Sequence, residues 1–166
     1  MKRIFTIIFL SLIFFIIDNT IMPLFSIKGI FPSFLFLFAI CFSIINGVWE
    51  GLWLGVFTGM LQDLYFFNGF GVNAFVNMLV CIIAAVIGNV IIKEKRLIPT
   101  AASFGLSLLK GVIVFAILYI AKQYTYFEHI FFDSLCNMVI CFFFYKWLYR
   151  FCQKDYMQRK WKFYEK

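Results

Sequence analysis

Gly47-Val48-Trp49-Glu50-Gly51-Leu52-Trp53-Leu54-Gly55-Val56-Phe57-Thr58-Gly59-Met60-Leu61-Gln62-Asp63 places four glycines at strict four-residue spacing and, one step further, an acid. Glycine costs roughly 1 kcal/mol against alanine in a water-exposed helix, so such a ladder predicts a helix that another helix approaches closely. In lipid the ridge is a packing face. It ends in Asp63, a carboxylate that hydrocarbon cannot solvate, which marks an interface, a polar cavity or a site. Each four-residue step overshoots a full turn by about 40°, so the row winds around a straight helix and follows a neighbour crossing it right-handedly. That neighbour is either another helix of the same bundle or the single span of a partner protein.

Composition places the rest of the chain in a membrane. Of 166 residues, 64% are hydrophobic, 22% aromatic and only 14% charged, and the mean hydropathy is +0.94. Soluble domains carry about 25% charged residues. A soluble fold of this length cannot hide so much apolar surface. The net charge of +7 in so apolar a chain belongs to lipid headgroups, not to nucleic acid.

Runs of about 20 residues, enough to cross about 30 Å of hydrocarbon, fall between polar or turn-forming breaks. Six spans are predicted: 4–24, 32–47, 49–67, 72–92, 97–120 and 131–148. The second is short and opens on Pro32; Asn68-Gly69-Phe70-Gly71 turns the chain into the fourth; a loop holding Lys122, Glu128 and His129 precedes the sixth. The expected fold is an all-α integral membrane protein, a six-helix transmembrane bundle over 1–148 with a basic-aromatic tail over 149–166. Basic residues at span ends favour the cytoplasm. Lys2, Arg3, Lys93, Lys95, Arg96 and the lysines and arginines from Lys146 onward fall on one side, against Lys28 and Lys122 on the other, so both termini are expected in the cytoplasm. Met1-Lys2-Arg3 before an apolar run also resembles a secretory leader, but no small-x-small cleavage site follows, and an uncleaved first span is expected.

Depth counting brings the polar residues of the spans to one level. Asp18, Asp63 and Lys110 each lie about 13 or 14 residues from the cytoplasmic end of their spans, roughly 20 Å up. Gln62 and Asn19 flank the two acids, and Asn73, Asn77, Asp133 and Asn137 lie within the first two turns of the fourth and sixth spans. A polar layer in the outer leaflet follows, in which Lys110 offsets Asp63 or Asp18, unless each side chain snorkels separately to the headgroups. Cys41, Cys81, Cys136, Cys141 and Cys152 contain no C-x-x-C pair and read as small core residues; His129 stands alone in an outer loop. No metal site, cofactor or catalytic signature is expected.

Phe31-Pro32-Ser33 opening a span, Gly51-x-x-x-Gly55-x-x-x-Gly59-Met60-Leu61-Gln62-Asp63-Leu64, and Phe70-Gly71-Val72-Asn73-Ala74-Phe75 resemble the rod-shape-determining membrane protein family MreD, best over residues 31–88. Ser33 stands where that family usually has an acid after the proline, and Met60 where it usually has leucine; Asp63 matches. The resemblance implies a non-enzymatic scaffold of the bacterial elongation machinery in the plasma (inner) membrane. Its partners would be MreC and, through it, the MreB filament and peptidoglycan synthases. It also implies a fold like the substrate-binding subunit of energy-coupling-factor vitamin transporters, with an outward-facing pocket. On this reading Gly51, Gly55, Gly59, Asp63, Gly71 and Ala74 form the helix-packing or partner interface, with a groove for the MreC membrane helix. A vitamin-capturing subunit is the second expectation, although the first span is Phe, Ile and Leu throughout and lacks an Ala-x-x-x-Ala coupling surface. An intramembrane enzyme using Asp18, Asp63 or His129 would need paired groups and a nucleophile that the sequence does not specify.

Overall fold

The computed structural model describes residues 2–21, 23, 32–65, 71–91, 97–120, 128–154 and 157. Within them the apolar runs form six helices: α1 (Lys2–Thr20), α2 (Phe34–Asn46), α3 (Val48–Tyr65), α4 (Val72–Val90), α5 (Leu97–Ile120) and α6 (Glu128–Cys152). Helices α1, α4, α5 and α6 are long and apolar enough to cross a membrane. α6 is longer than the hydropathy implies. It takes in Glu128 and His129, assigned above to a loop, and continues past Lys146 and Arg150 into the tail. The expectations for Lys28, the 66–70 turn, Lys93 to Arg96, Lys122 and most of the tail lie outside the described residues, as does the side chain of His129.

α2 is the axis. Every residue from Leu35 to Ile44 is buried, so the helix is enclosed on all sides, as a helix apolar all round must be. Toward α1 and α6 it presents Phe38 and Phe42; Phe14 lies 5.3 Å, centroid to centroid, from both Phe38 and Phe144. Toward α4 and α5 it presents Phe36, Ile40 and Ile44, packed on Val76, Val80, Ala84 and Leu106. At 13 residues it is about 20 Å long, shorter than the about 30 Å hydrocarbon layer.

The glycine ridge of α3 is filled by this chain's own helices. A Cβ on Gly51 would stand 2.7 Å from Ser43 Oγ of α2, and one on Gly55 2.8 Å from the Asn77 carbonyl oxygen of α4. A Cβ on Gly59 would overlap the backbone of Asn73 and Ala74. Among the described residues that ridge faces α2 and α4. The same device recurs where it was not foreseen: Gly88 of α4 meets the backbone of Ile44, and Ala84, one four-residue step earlier, is buried beside it. Gly47 and Gly71 do different work. Neither has an atom within 4 Å of where a Cβ would lie, but both have positive φ, +100° and +99°, which glycine adopts without strain. Gly47 alone separates α2 from α3.

Cross-helix contacts fix the directions. Asp18 meets Ser33 at one end of the bundle, whereas Arg3 bonds Asn46 and pairs with Glu50 at the other. Asn137 reaches Ser33, and Cys152 lies 3.6 Å from Asn46 Nδ2. In α5 and α6, Gly111 faces Ile130 and Ser107 faces Asn137, so that pair is antiparallel. α1 is the outermost helix, with Ile4, Phe5, Phe9 and Ile16 exposed. Lipid gives its apolar flank no reason to prefer protein, so the polar contacts at its two ends position it.

Gly59→Ala is expected to lower stability by about 1–3 kcal/mol through overpacking. Gly105→Ala, where nothing lies within 4 Å of the added Cβ, is expected to be neutral or to stabilise by up to about 1 kcal/mol. Reversible unfolding in mixed micelles separates the two; shifts of the same sign would refute the packing role of the ridge.

Candidate functional site

At the end of the bundle remote from Arg3, the two acids share one task. Asp18, near the end of α1, accepts from the Ser33 hydroxyl (2.9 Å) and from the backbone N–H groups of Phe34 (2.8 Å) and Leu35 (3.0 Å). Asp63, near the end of α3, accepts from the N–H groups of Gly71, Asn73 and Ala74, each at 3.0 Å. The first turns of a helix leave N–H groups without intrahelical partners and carry partial positive charge, so a carboxylate is their natural complement. Helices α1 and α3 therefore each end by capping the helix that follows. Ser33 is itself the N-cap of α2, accepting from Phe36 N–H at 3.2 Å. The negative charge at this cap arrives from Asp18 on the neighbouring helix.

Gln62 joins the two capped helices. Its Nε2 donates to Ser33 Oγ at 3.0 Å, and its Oε1 accepts from Asn77 Nδ2 and from Lys110 Nζ, each at 2.9 Å. Asn137 of α6 accepts from Ser33 N–H at 3.1 Å and donates to Ser107 Oγ at 3.4 Å. Among the described residues Lys110 forms no salt bridge with Asp18 or Asp63, the two partners left open above. It donates to the neutral Gln62 and lies 4.1 Å from the centre of the Phe36 ring. The carboxylates are already engaged by helix termini.

Of the polar residues expected in one layer, Asp18, Gln62, Asp63, Asn73, Asn77 and Lys110 are drawn together by these bonds. Asp133 faces a cavity of about 260 Å³ shared with Ser33, Asn73, Lys110 and Asn137. Asn19 stands apart; its amide donates to the Phe15 carbonyl of its own helix. Gly51, Gly55, Gly59 and Ala74 lie at the α3–α4 and α3–α2 contacts, and Gly71 caps α4 with left-handed backbone. The residues missed were Ser33 as a hub, Ser107, and the Arg3–Asn46–Glu50 cluster at the far end. A serine directly before an apolar run is the one signal that could have found Ser33, since it is the usual N-cap residue.

The apolar outer surface, enclosed short helix and polar contacts between helices define a multi-pass helical membrane protein whose charged residues hold helices together. No group of three or more His, Cys, Asp or Glu side chains suited to a metal occurs among the described residues. The family model for the rod shape-determining protein MreD matches residues 1–155, and the chain belongs to that family, one of cell-shape determination rather than an enzyme family. No curated protein and no solved structure matches it.

Asp18→Asn and Asp63→Asn each remove charge-assisted bonds to a helix start and are expected to cost about 1.5–3 kcal/mol. Asp18→Asn combined with Ser33→Ala should deviate from additivity by about 0.5–3 kcal/mol, whereas Asp18→Asn with Gly88→Ala should add. A double-mutant cycle on unfolding free energies checks this; additivity in both pairs would break the proposed link between Asp18 and Ser33.

Proposed function

We propose that this chain is a non-enzymatic scaffold of the bacterial cell-elongation machinery that binds MreC and couples MreB filaments to lateral peptidoglycan synthesis. The observation that carries this reading is the MreD family match over nearly the whole bundle. The chemistry of the spans supports it. Asp18 and Asp63, which an intramembrane enzyme would need free, are both used as helix caps. Among the described residues Lys2, Arg3, Lys146, Arg150 and Lys154 lie toward one end of the bundle, which favours an inner-membrane orientation with that end in the cytoplasm. Because α2 and α4 fill the glycine ridge, an MreC span would have to engage an outward face of the bundle.

A second reading, the substrate-binding subunit of an energy-coupling-factor vitamin transporter, would place its ligand in the cavity. Its 260 Å³ falls below the range of about 300–1,000 Å³ typical of small-molecule pockets, which weighs against a ligand the size of a vitamin.

Deletion of the gene in its rod-shaped host should give rounded cells, restored to rods by the intact chain, and the tagged chain solubilised from those cells should retain MreC. Rods that persist after deletion would refute the shape-determining role; rounding without retained MreC would refute the partner.

A further inference from the structure

Among the described residues, Lys110 carries the one cationic side chain in the cavity lining, and it forms no salt bridge. An ammonium has three protons to donate. One meets Gln62 Oε1 at 2.9 Å, and the face of Phe36 covers the group from another side. No carboxylate among the described residues lies within 4.0 Å of it. The oxygens of Asp18 and Asp63 are taken by the starts of α2 and α4. A cation in the spans answered by one amide and one ring is short of negative charge.

The cavity beside it lies between α5, α6 and the starts of α2 and α4. Asp133 lines it from α6 and has an interaction of its own. A carboxylate offers about four acceptor positions and so can serve more than one donor. A purely anionic guest would meet Asp133, and a purely cationic one Lys110. A guest bearing both signs satisfies both. On α5, Val114 and Leu118 follow Lys110 at four-residue steps and form an apolar wall with Phe115 and Ile130. The space suits a headgroup with hydrocarbon running along that wall.

We propose that the cavity binds the zwitterionic headgroup of a phosphatidylethanolamine-type lipid, its phosphate on Lys110 and the Asn73 amide and its primary ammonium toward Asp133. The lipid's hydrocarbon follows Val114 and Leu118. The same headgroup chemistry could come from soluble phosphoethanolamine, and the test distinguishes the two sources.

The full chain, purified in detergent and delipidated, is offered phosphatidylethanolamine, phosphatidylglycerol or phosphatidylcholine, and retained lipid is read by native mass spectrometry. Wild type should retain phosphatidylethanolamine over the other two. Lys110→Gln should reduce that retention about tenfold, the effect of one charge-assisted hydrogen bond. Asp133→Asn should shift the preference toward anionic phosphatidylglycerol, and a normal unfolding profile for each variant shows that it is folded. Soluble phosphoethanolamine that displaces the lipid and raises the unfolding temperature assigns the site to the free compound; no displacement assigns it to the lipid. Equal retention of all three lipids by wild type would overturn the proposal. So would unchanged retention in Lys110→Gln, or an unchanged preference in Asp133→Asn.

Discussion

A carboxylate within an apolar bundle is tolerable only when donors meet its oxygens, and this chain obtains those donors from the starts of helices. Asp18 takes the first amides of α2, and Asp63 takes those of α4. Two otherwise unfavourable features cancel in each case: a buried negative charge and a row of unpaired N–H groups. The result also sets geometry. An acid near the end of one helix can reach the amides of the next only if the two lie side by side in a fixed register, so each cap works as an alignment pin as well as a charge balance.

At this end of the bundle Gln62 ties the hairpins α1–α2 and α3–α4 together. Its amide spans from the α2 cap to α4 and α5 through Ser33, Asn77 and Lys110, while Asn137 ties α6 to the same serine. At the far end Arg3, Asn46 and Glu50 join α1, α2 and α3. Between these polar tiers the packing is apolar and close. Backbone-to-backbone approach at Gly55, Gly59 and Gly88 lets α4 press against α3 and α2, which matters because van der Waals contact, rather than hydrophobic burial, holds helices together in lipid.

Much of this was legible. The ladder through Gly51, Gly55 and Gly59 announced a close-packed face because no other residue leaves such space, and counting rise per residue placed Asp18, Gln62, Asp63 and Lys110 at one depth. The neighbour on that face was not legible, since four-residue spacing describes a groove without naming what fills it. A salt bridge for Lys110 was expected from charge pairing alone. That reasoning overlooked helix starts, which compete for carboxylates with several amides at once. Ser33 escaped for the opposite reason: a serine at a helix start has a local role, which hid its longer reach to Asp18 and Gln62. Arg3 and Glu50 lie at helix ends where solvated charges are ordinary, so their meeting across 47 positions left no mark in the sequence.

The enclosure of α2 bears on biosynthesis. Thirteen residues, about 20 Å, with every side from Leu35 to Ile44 covered by other helices, make a segment too short to span the bilayer comfortably by itself. When it leaves the ribosome, only α1 among its neighbours exists; α3 to α6 have still to be made. Its settled position is thus a late event in maturation, reached when the closing helices gather around it. The element most central to the finished protein is the one whose membrane placement depends most on what is translated after it.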